Sequence, residues 1–404
     1  MTPAATRDRR VLATVAFLRA LATGMCGVLL GLALAARGFA PRDIGVVVSF
    51  GLGGGALAAL AVTVGAGRFP ARLALIGLAL LAALGICAVA AADAVALAAS
   101  AALLGMVNGM GRDRSAATVI EQAMLPATVE AAGRTRALAW YTVAQDSGHA
   151  LGALLAALPA LFERCGATTP SALQLSLLAA ALPFAVAAPL YTLLSPQLLA
   201  ALPTAPMPPS PHARRTIGKL AGLFLLDSLG GGFLTSALLA YFFVARFQAH
   251  PSMVAMLFFA ARVANAGSHL AAAWLARRIG LLNTIVLTHL PSSLLLMTVP
   301  MTSSFGIAAA LFLLRESLVE MDVPTRQSYV LAVVQPEERL WAAGVTSIVR
   351  LGGWAIAPFL AGALMQQGAL TAPLIVGAAI KILYDVLLYV GFRRIRPPEE
   401  SVVG

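Results

Sequence analysis

Long apolar runs, repeated to the end of the chain, are the feature that most limits what this sequence can fold into. Twelve follow one another, at 11–36, 43–66, 71–92, 94–125, 137–160, 171–195, 216–245, 251–274, 280–299, 303–325, 339–366 and 371–392. An α-helix rises about 1.5 Å per residue, so roughly 20 apolar residues match the hydrocarbon core of a bilayer. Backbone in lipid has to satisfy its own hydrogen bonds, and runs this long fit helices rather than the roughly ten-residue alternating strands of a barrel. The sequence therefore predicts an all-α, polytopic membrane protein of twelve transmembrane helices. Composition agrees: 60% of residues are hydrophobic and 11% charged, where soluble domains carry about 25% charged residues. A soluble enzyme is excluded.

The formal net charge of +11 would suggest nucleic acid in a soluble protein, but the location of the basic residues gives it another meaning. Seventeen Lys and Arg fall at the N-terminus, the even-to-odd loops, the mid-chain linker and the C-terminus. Four, Arg37, Arg42, Arg164 and Arg246, fall on the other side. This positive-inside bias predicts both termini in the cytoplasm, an even number of spans in a cytoplasmic (inner) membrane, and no nucleic-acid partner. The Pro-rich, basic stretch 195–219 reads as a linker, which divides the chain into a six-helix half over 1–195, a cytoplasmic linker over 196–215 and a second half over 216–404. Cys26, Cys87 and Cys165 lie far apart without a CxxC or Cys/His cluster, so no metal, cofactor or disulfide framework is expected. The N-terminus MTPAATRDRR runs into the first apolar stretch without an A-x-A signature, as a retained span does.

Two segments support a duplication. EQAMLPATVEAAGRTRALAWY from Glu121 resembles RQSYVLAVVQPEERLWAAGVT from Arg326, 205 residues later. The loop after the second run reads GAGRFPARL and the one after the eighth LARRIGLL. Both are partial matches to G-x-x-x-D-R-x-G-R-[RK], with Arg68 and Arg72 in the first, and Arg278 in the second, at basic positions. Gly67 and Arg277 stand where the motif has its acid. With the twelve runs and the linker, these features resemble the major facilitator superfamily of secondary transporters over nearly the whole chain. The resemblance implies two pseudo-symmetric six-helix halves and a substrate site near the bilayer midplane. It also implies that spans 1, 2, 4, 5, 7, 8, 10 and 11 line a central cavity. SGHALGALL preserves only a fragment of the fifth-span antiporter motif, with His149 where its Pro could stand.

Apart from Asp43, Arg72, Lys219 and Arg339, which lie within four residues of the start of a run, fifteen Lys, Arg, Asp or Glu residues fall inside the runs. An isolated charge at the bilayer centre costs about 3 kcal/mol even on the lenient insertion scale, so these residues are expected to face one another or water. Thirteen lie on spans 1, 4, 5, 7, 8, 10 and 11. Lys381 and Asp385, on span 12, have the spacing of a local i, i+4 ion pair. Arg262, Asn265 and His269 fall on one face of span 8, and Thr142, Asp146 and His149 on one face of span 5. GLGGGAL at 51–57, GMVNGMG at 105–111 and LGGWAIAP at 351–358 provide surfaces for close helix approach.

The expectation is a secondary active transporter, not an enzyme: the chain has no GxxxxGK[ST], HExxH or GxSxG. It would act as a monomer in the bilayer, moving a small organic solute by alternating access in exchange for protons, as an efflux system. An importer of an organic anion, or a sensor, on the same fold is the alternative. Asp227, Glu316, Asp146, Asp113 and Glu320 are the proton-coupling candidates, because desolvation and a movable counter-charge together let an acid load and release a proton. Arg19, Arg262, Asn265, His269, Arg315, Arg350 and His149 are the substrate-cavity candidates. Arg68, Arg72, Arg277 and Arg278 are expected at conformational-gate loops.

Overall fold

The computed structural model describes residues 3–64, 70–130, 133–200, 210–321, 326, 329–330, 334–335 and 338–392; Arg68 and the side chains of His269 and Arg277 lie outside that description. The described residues form α1 (Pro3–Ala36), α2 (Pro41–Val64), α3 (Ala71–Ala91), α4 (Val95–Gly105), α5 (Ala116–Met124), α6 (Arg134–Leu155), α7 (Leu158–Arg164), α8 (Thr169–Ala179) and α9 (Leu182–Leu190). They continue with α10 (Pro196–Ala200), α11 (Pro211–Gly232), α12 (Ser236–Phe247), α13 (Pro251–Ile279), α14 (Leu281–Thr298), α15 (Phe305–Val319), α16 (Arg339–Gln366) and α17 (Ala372–Phe392). Among the described residues, eight segments are long and apolar enough to cross a membrane. The other expected spans are those interrupted by irregular backbone (94–125), those carrying polar stripes (137–160 and 251–274), and 303–325, which runs beyond the described residues.

The chain divides into two compact units, Met1–Ala205 with Thr235–Phe259, and Pro206–Leu234 with Ala260–Gly404. In the first unit α1 is the central element, buried along most of its length from Val11 to Leu34. Small residues explain how closely it is covered. A Cβ built on Gly148 or Gly152 of α6 would run into the α1 backbone at Phe17 or Leu21, and one on Gly24 would meet the α6 backbone at His149. Gly51 and Gly54 of α2 meet the carbonyls of Val107 and Leu103 in the same way. Without a hydrophobic driving force between helices in lipid, such approaches maximise dispersion contact. In the second unit α11 packs on α16 and α17, where Gly353 faces the Leu225 carbonyl and Gly230 the Gly377 carbonyl, each 3.0 Å from the Cβ it would carry. Leucines such as Leu84, Leu104 and Leu182 remain exposed, each more than 60% accessible, as lipid-facing residues should be.

Among the described residues four of the expected spans are not single helices; 137–160 passes from α6 into α7, and 171–195 is divided between α8 and α9. Residues 94–125 are interrupted between α4 and α5. Met106 turns left-handed at φ 51° to end α4, Gly111 follows at φ 72°, and helix resumes only at Ala116. Residues 216–245 break at 233–235 between α11 and α12. Hydropathy does not register the break at 233–235, which is built from Phe233, Leu234 and Thr235, whereas the stretch 106–115 carries Asn108, Arg112, Asp113 and Arg114. Pro358, by contrast, lies within the continuous helix α16.

Candidate functional site

Each unit buries its own ion network. In the first unit the centre is Arg19 of α1, 1% exposed. Its Nε donates to Asp113 Oδ2 at 3.1 Å, Nη1 to Tyr191 OH at 2.8 Å and to Glu121, and Nη2 to Thr118 Oγ1 at 3.2 Å. The Tyr141 hydroxyl donates to Glu121 Oε2 at 2.6 Å, and that of Tyr191 to Oε1. One cation thus satisfies two carboxylates of the broken fourth span, Asp113 in the interruption and Glu121 in α5, while α6 and the end of the sixth span supply the tyrosines. The planar fork of Arg suits this branching role, which the point charge of Lys could not fill.

The irregular stretch 106–115 is held by its own polar groups. Asn108 Nδ2 donates to the Arg112 carbonyl at 2.6 Å, and its Oδ1 accepts from Met110 N at 2.7 Å. The Gly109 carbonyl accepts from Ala237 N at 3.0 Å, and that of Met110 from Ser236 Oγ at 2.9 Å, both at the start of α12. Asp113 N donates to His149 Nε2 at 2.7 Å, so that nitrogen carries no proton in this arrangement. Unwound backbone at membrane depth is tolerated only where protein or water covers it. Broken helices of this kind form the solute sites of several transporter folds.

In the second unit the centre is Asp227 of α11, 3% exposed. Oδ1 accepts from Lys381 Nζ at 2.7 Å, and Oδ2 lies 3.3 Å from Arg326 Nη1 and 3.4 Å from Arg350 Nη1. The Arg350 guanidinium also lies over the Trp354 ring, 4.7 Å from its centroid, a further attraction for a cation. His289 of α14 links Lys381 to Asp385: its Nε2 is 3.3 Å from Lys381 Nζ, and its Nδ1 is 2.8 Å from Asp385 Oδ1. The local Lys381–Asp385 pair expected from spacing is therefore not formed. Both side chains reach inward to separate partners, because Asp227 and His289 offer each a buried counterpart. Arg326, counted in the sequence as a loop residue, is also buried and points at Asp227.

A smaller cluster joins α13 and α15. Glu316 accepts from Asn265 Nδ2 at 2.9 Å and from Arg315. Asp146, Glu320 and Arg262 are half-buried. Arg72 donates to the Leu194 carbonyl, and the Arg278 guanidinium lies 4.3 Å from the centroid of the Trp274 ring on its own helix. Of the candidates, the structure thus brings together Arg19, Asp113 and His149, then Asp227 with Arg350, and then Asn265, Arg315 and Glu316. Arg68, His269 and Arg277 are candidates that lie outside the described residues or side chains. Sequence reasoning left out Glu121, Tyr141, Tyr191 and His289 as site residues. For the tyrosines no signal existed, but His289 is a lone ionisable residue in an apolar run and could have been weighed beside the other charges.

No family model matches the sequence. A stretch of 171 residues is 28% identical to an uncharacterized membrane protein of Saccharomyces cerevisiae, YJR124C, and covers 42% of this chain and 38% of that protein. Three solved structures align over nearly the whole chain. The bacterial homolog of the human lysosomal transporter Spinster, inward-facing and occupied, matches 97% of this chain and 98% of its own at TM-score 0.76 and 13% identity. The nucleoside transporter NupG matches 95% and 99% at 0.75 and 11%. The human organic anion transporter MFSD10 matches 96% and 100% at 0.56 and 17%. The chain has the fold of the major facilitator superfamily transporters.

Proposed function

We propose that this chain is a major facilitator secondary transporter that moves a small organic solute across the cytoplasmic membrane by alternating access, coupled to protons and directed outward. The observation that carries the reading is the set of partners around Asp227. Lys381, Arg326 and Arg350 reach one buried carboxylate from three separate segments of the chain. A carboxylate tied to several elements at once is suited to couple its protonation to their rearrangement. Neutralising it removes the attraction that draws them together, and charge-dependent contacts of this kind bias two-state elements. Glu316, held by Arg315 and Asn265, is the second carrier in this reading. The relatives of similar fold are named for nucleosides and organic anions, which fits a solute small enough for a cavity between helices.

A thermal-shift screen of nucleosides and organic anions against the purified protein identifies the solute, since a ligand bound to the folded state raises its apparent stability. Reconstituted wild type should then accumulate that solute in response to an imposed pH gradient. Asp227→Asn and Glu316→Gln should each lose gradient-driven accumulation while keeping a cooperative melting transition. Unchanged accumulation in both variants would remove these acids as carriers.

A further inference from the structure

We propose that His289 is a proton-binding site of the second unit, at which an added proton displaces Lys381 from Asp227. The observations are geometric. His289 is buried, 1% exposed, on α14. Its two ring nitrogens have different partners: Nδ1 faces the Asp385 carboxylate, at 2.8 and 3.0 Å from its two oxygens, and Nε2 faces Lys381 Nζ at 3.3 Å. A carboxylate accepts and an ammonium donates, so the neutral ring here carries its proton on Nδ1 and presents the Nε2 lone pair to Lys381.

That lone pair is where a proton goes. Transfer from hydronium breaks one O–H bond, forms Nε2–H and adds one positive charge to the ring. Nε2 then ceases to be an acceptor for Lys381, and the two cations repel at 3.3 Å. The new N–H is 3.9 Å from Asp227 Oδ1, the oxygen that Lys381 holds at 2.7 Å. Imidazolium and ammonium therefore compete for one atom. When the imidazolium wins, the link between α11 and α17 through Lys381 is exchanged for one between α11 and α14.

Among the described residues, the charged groups that face the ring come from α17 and α11. From α17 come Asp385 and Lys381, with the Tyr384 ring edge-on at 6.0 Å. From α11 comes Asp227, which is shared with Arg326 and Arg350. Among the described residues of α15, which also packs on α14, Arg315 and Glu316 bond to each other and Glu316 to Asn265. α14 and α17 correspond to spans 9 and 12, which the resemblance to the superfamily does not place on the cavity wall.

The use of this proton in transport rests on the reading above, whereas its binding does not, and the experiment separates the two. Full-length protein with 15N-labelled imidazoles is titrated from pH 9 to pH 5 in detergent by NMR. His289→Gln identifies the His289 signal among the five histidines, with His289→Asn as the alternative should the first variant fail to fold. The expected result is a neutral ring protonated on Nδ1 at high pH that converts to the doubly protonated form on acidification. Lys381→Met, which removes the cation facing Nε2, should displace that conversion along the pH axis. A ring that keeps one tautomer across the whole range overturns the inference, as does a titration that Lys381→Met leaves in place. Either result leaves the transporter reading standing on its own test.

Discussion

Arg19 shows at the scale of one residue why a charge can persist in an apolar bundle. Its guanidinium is spent on Asp113, Glu121, Tyr191 and Thr118, so removing it abandons two buried carboxylates rather than one contact. Breaking such a network from one side costs about 3–5 kcal/mol. Arg19→Met should therefore lower stability by about that amount in detergent unfolding. Arg19→Met combined with Glu121→Gln should recover part of it, since the second change removes one orphaned charge. An additive double variant would show that the two side chains do not couple. The sequence made Arg19, Asp113 and Asp227 visible as charges in apolar surroundings, because insertion cost singles them out. Their partners were less visible. Tyr141 and Tyr191 are as ordinary in a membrane helix as any aromatic, and Arg326 lies at the end of an apolar run where a basic residue reads as an orientation signal. Lys381 and Asp385 have the spacing of a local pair, and only the fold brings His289 and Asp227 close enough to separate them.

At the scale of elements, the broken fourth span matters most. Asn108 fastens the irregular stretch from both ends of its amide, to Arg112 and to Met110, and this lets Asp113 of that stretch and Glu121 of α5 both reach Arg19. Asn108→Ala would leave a partly buried N–H and a partly buried carbonyl without these partners, each at a cost below the roughly 1–3 kcal/mol of a fully buried group. We expect a lower melting temperature and faster backbone hydrogen exchange at 106–115; wild-type exchange there in the variant would contradict this account of the break. The positions of several elements follow from the apolar runs, since α2, α3, α14, α16 and α17 fall within a few residues of them. The interruptions do not, because GMVNGMG is as apolar as a helix and its path is set by hydrogen bonds to α12 and His149 that no local pattern reveals. The glycines were legible as contact surfaces, and Gly51, Gly54 and Gly353 serve that purpose.

For the whole molecule, the two units solve one problem with opposite signs. In the first, a cation on the opening helix binds an acid 102 residues later; in the second, an acid on the opening helix binds a cation 99 residues later. Glu121 and Arg326 are the residues that begin the two similar segments seen in the sequence, so the resemblance between those segments extends to where their buried charges lie, and the sign is reversed. The central claim is that these charges let protons and a solute share one conformational cycle. It is tested most directly in proteoliposomes carrying a trapped pH indicator, by adding the solute found in the thermal-shift screen with no imposed gradient. The account predicts a proton flux that begins with solute addition, scales with its concentration and is absent in Asp227→Asn. Solute movement without any change in internal pH would contradict it.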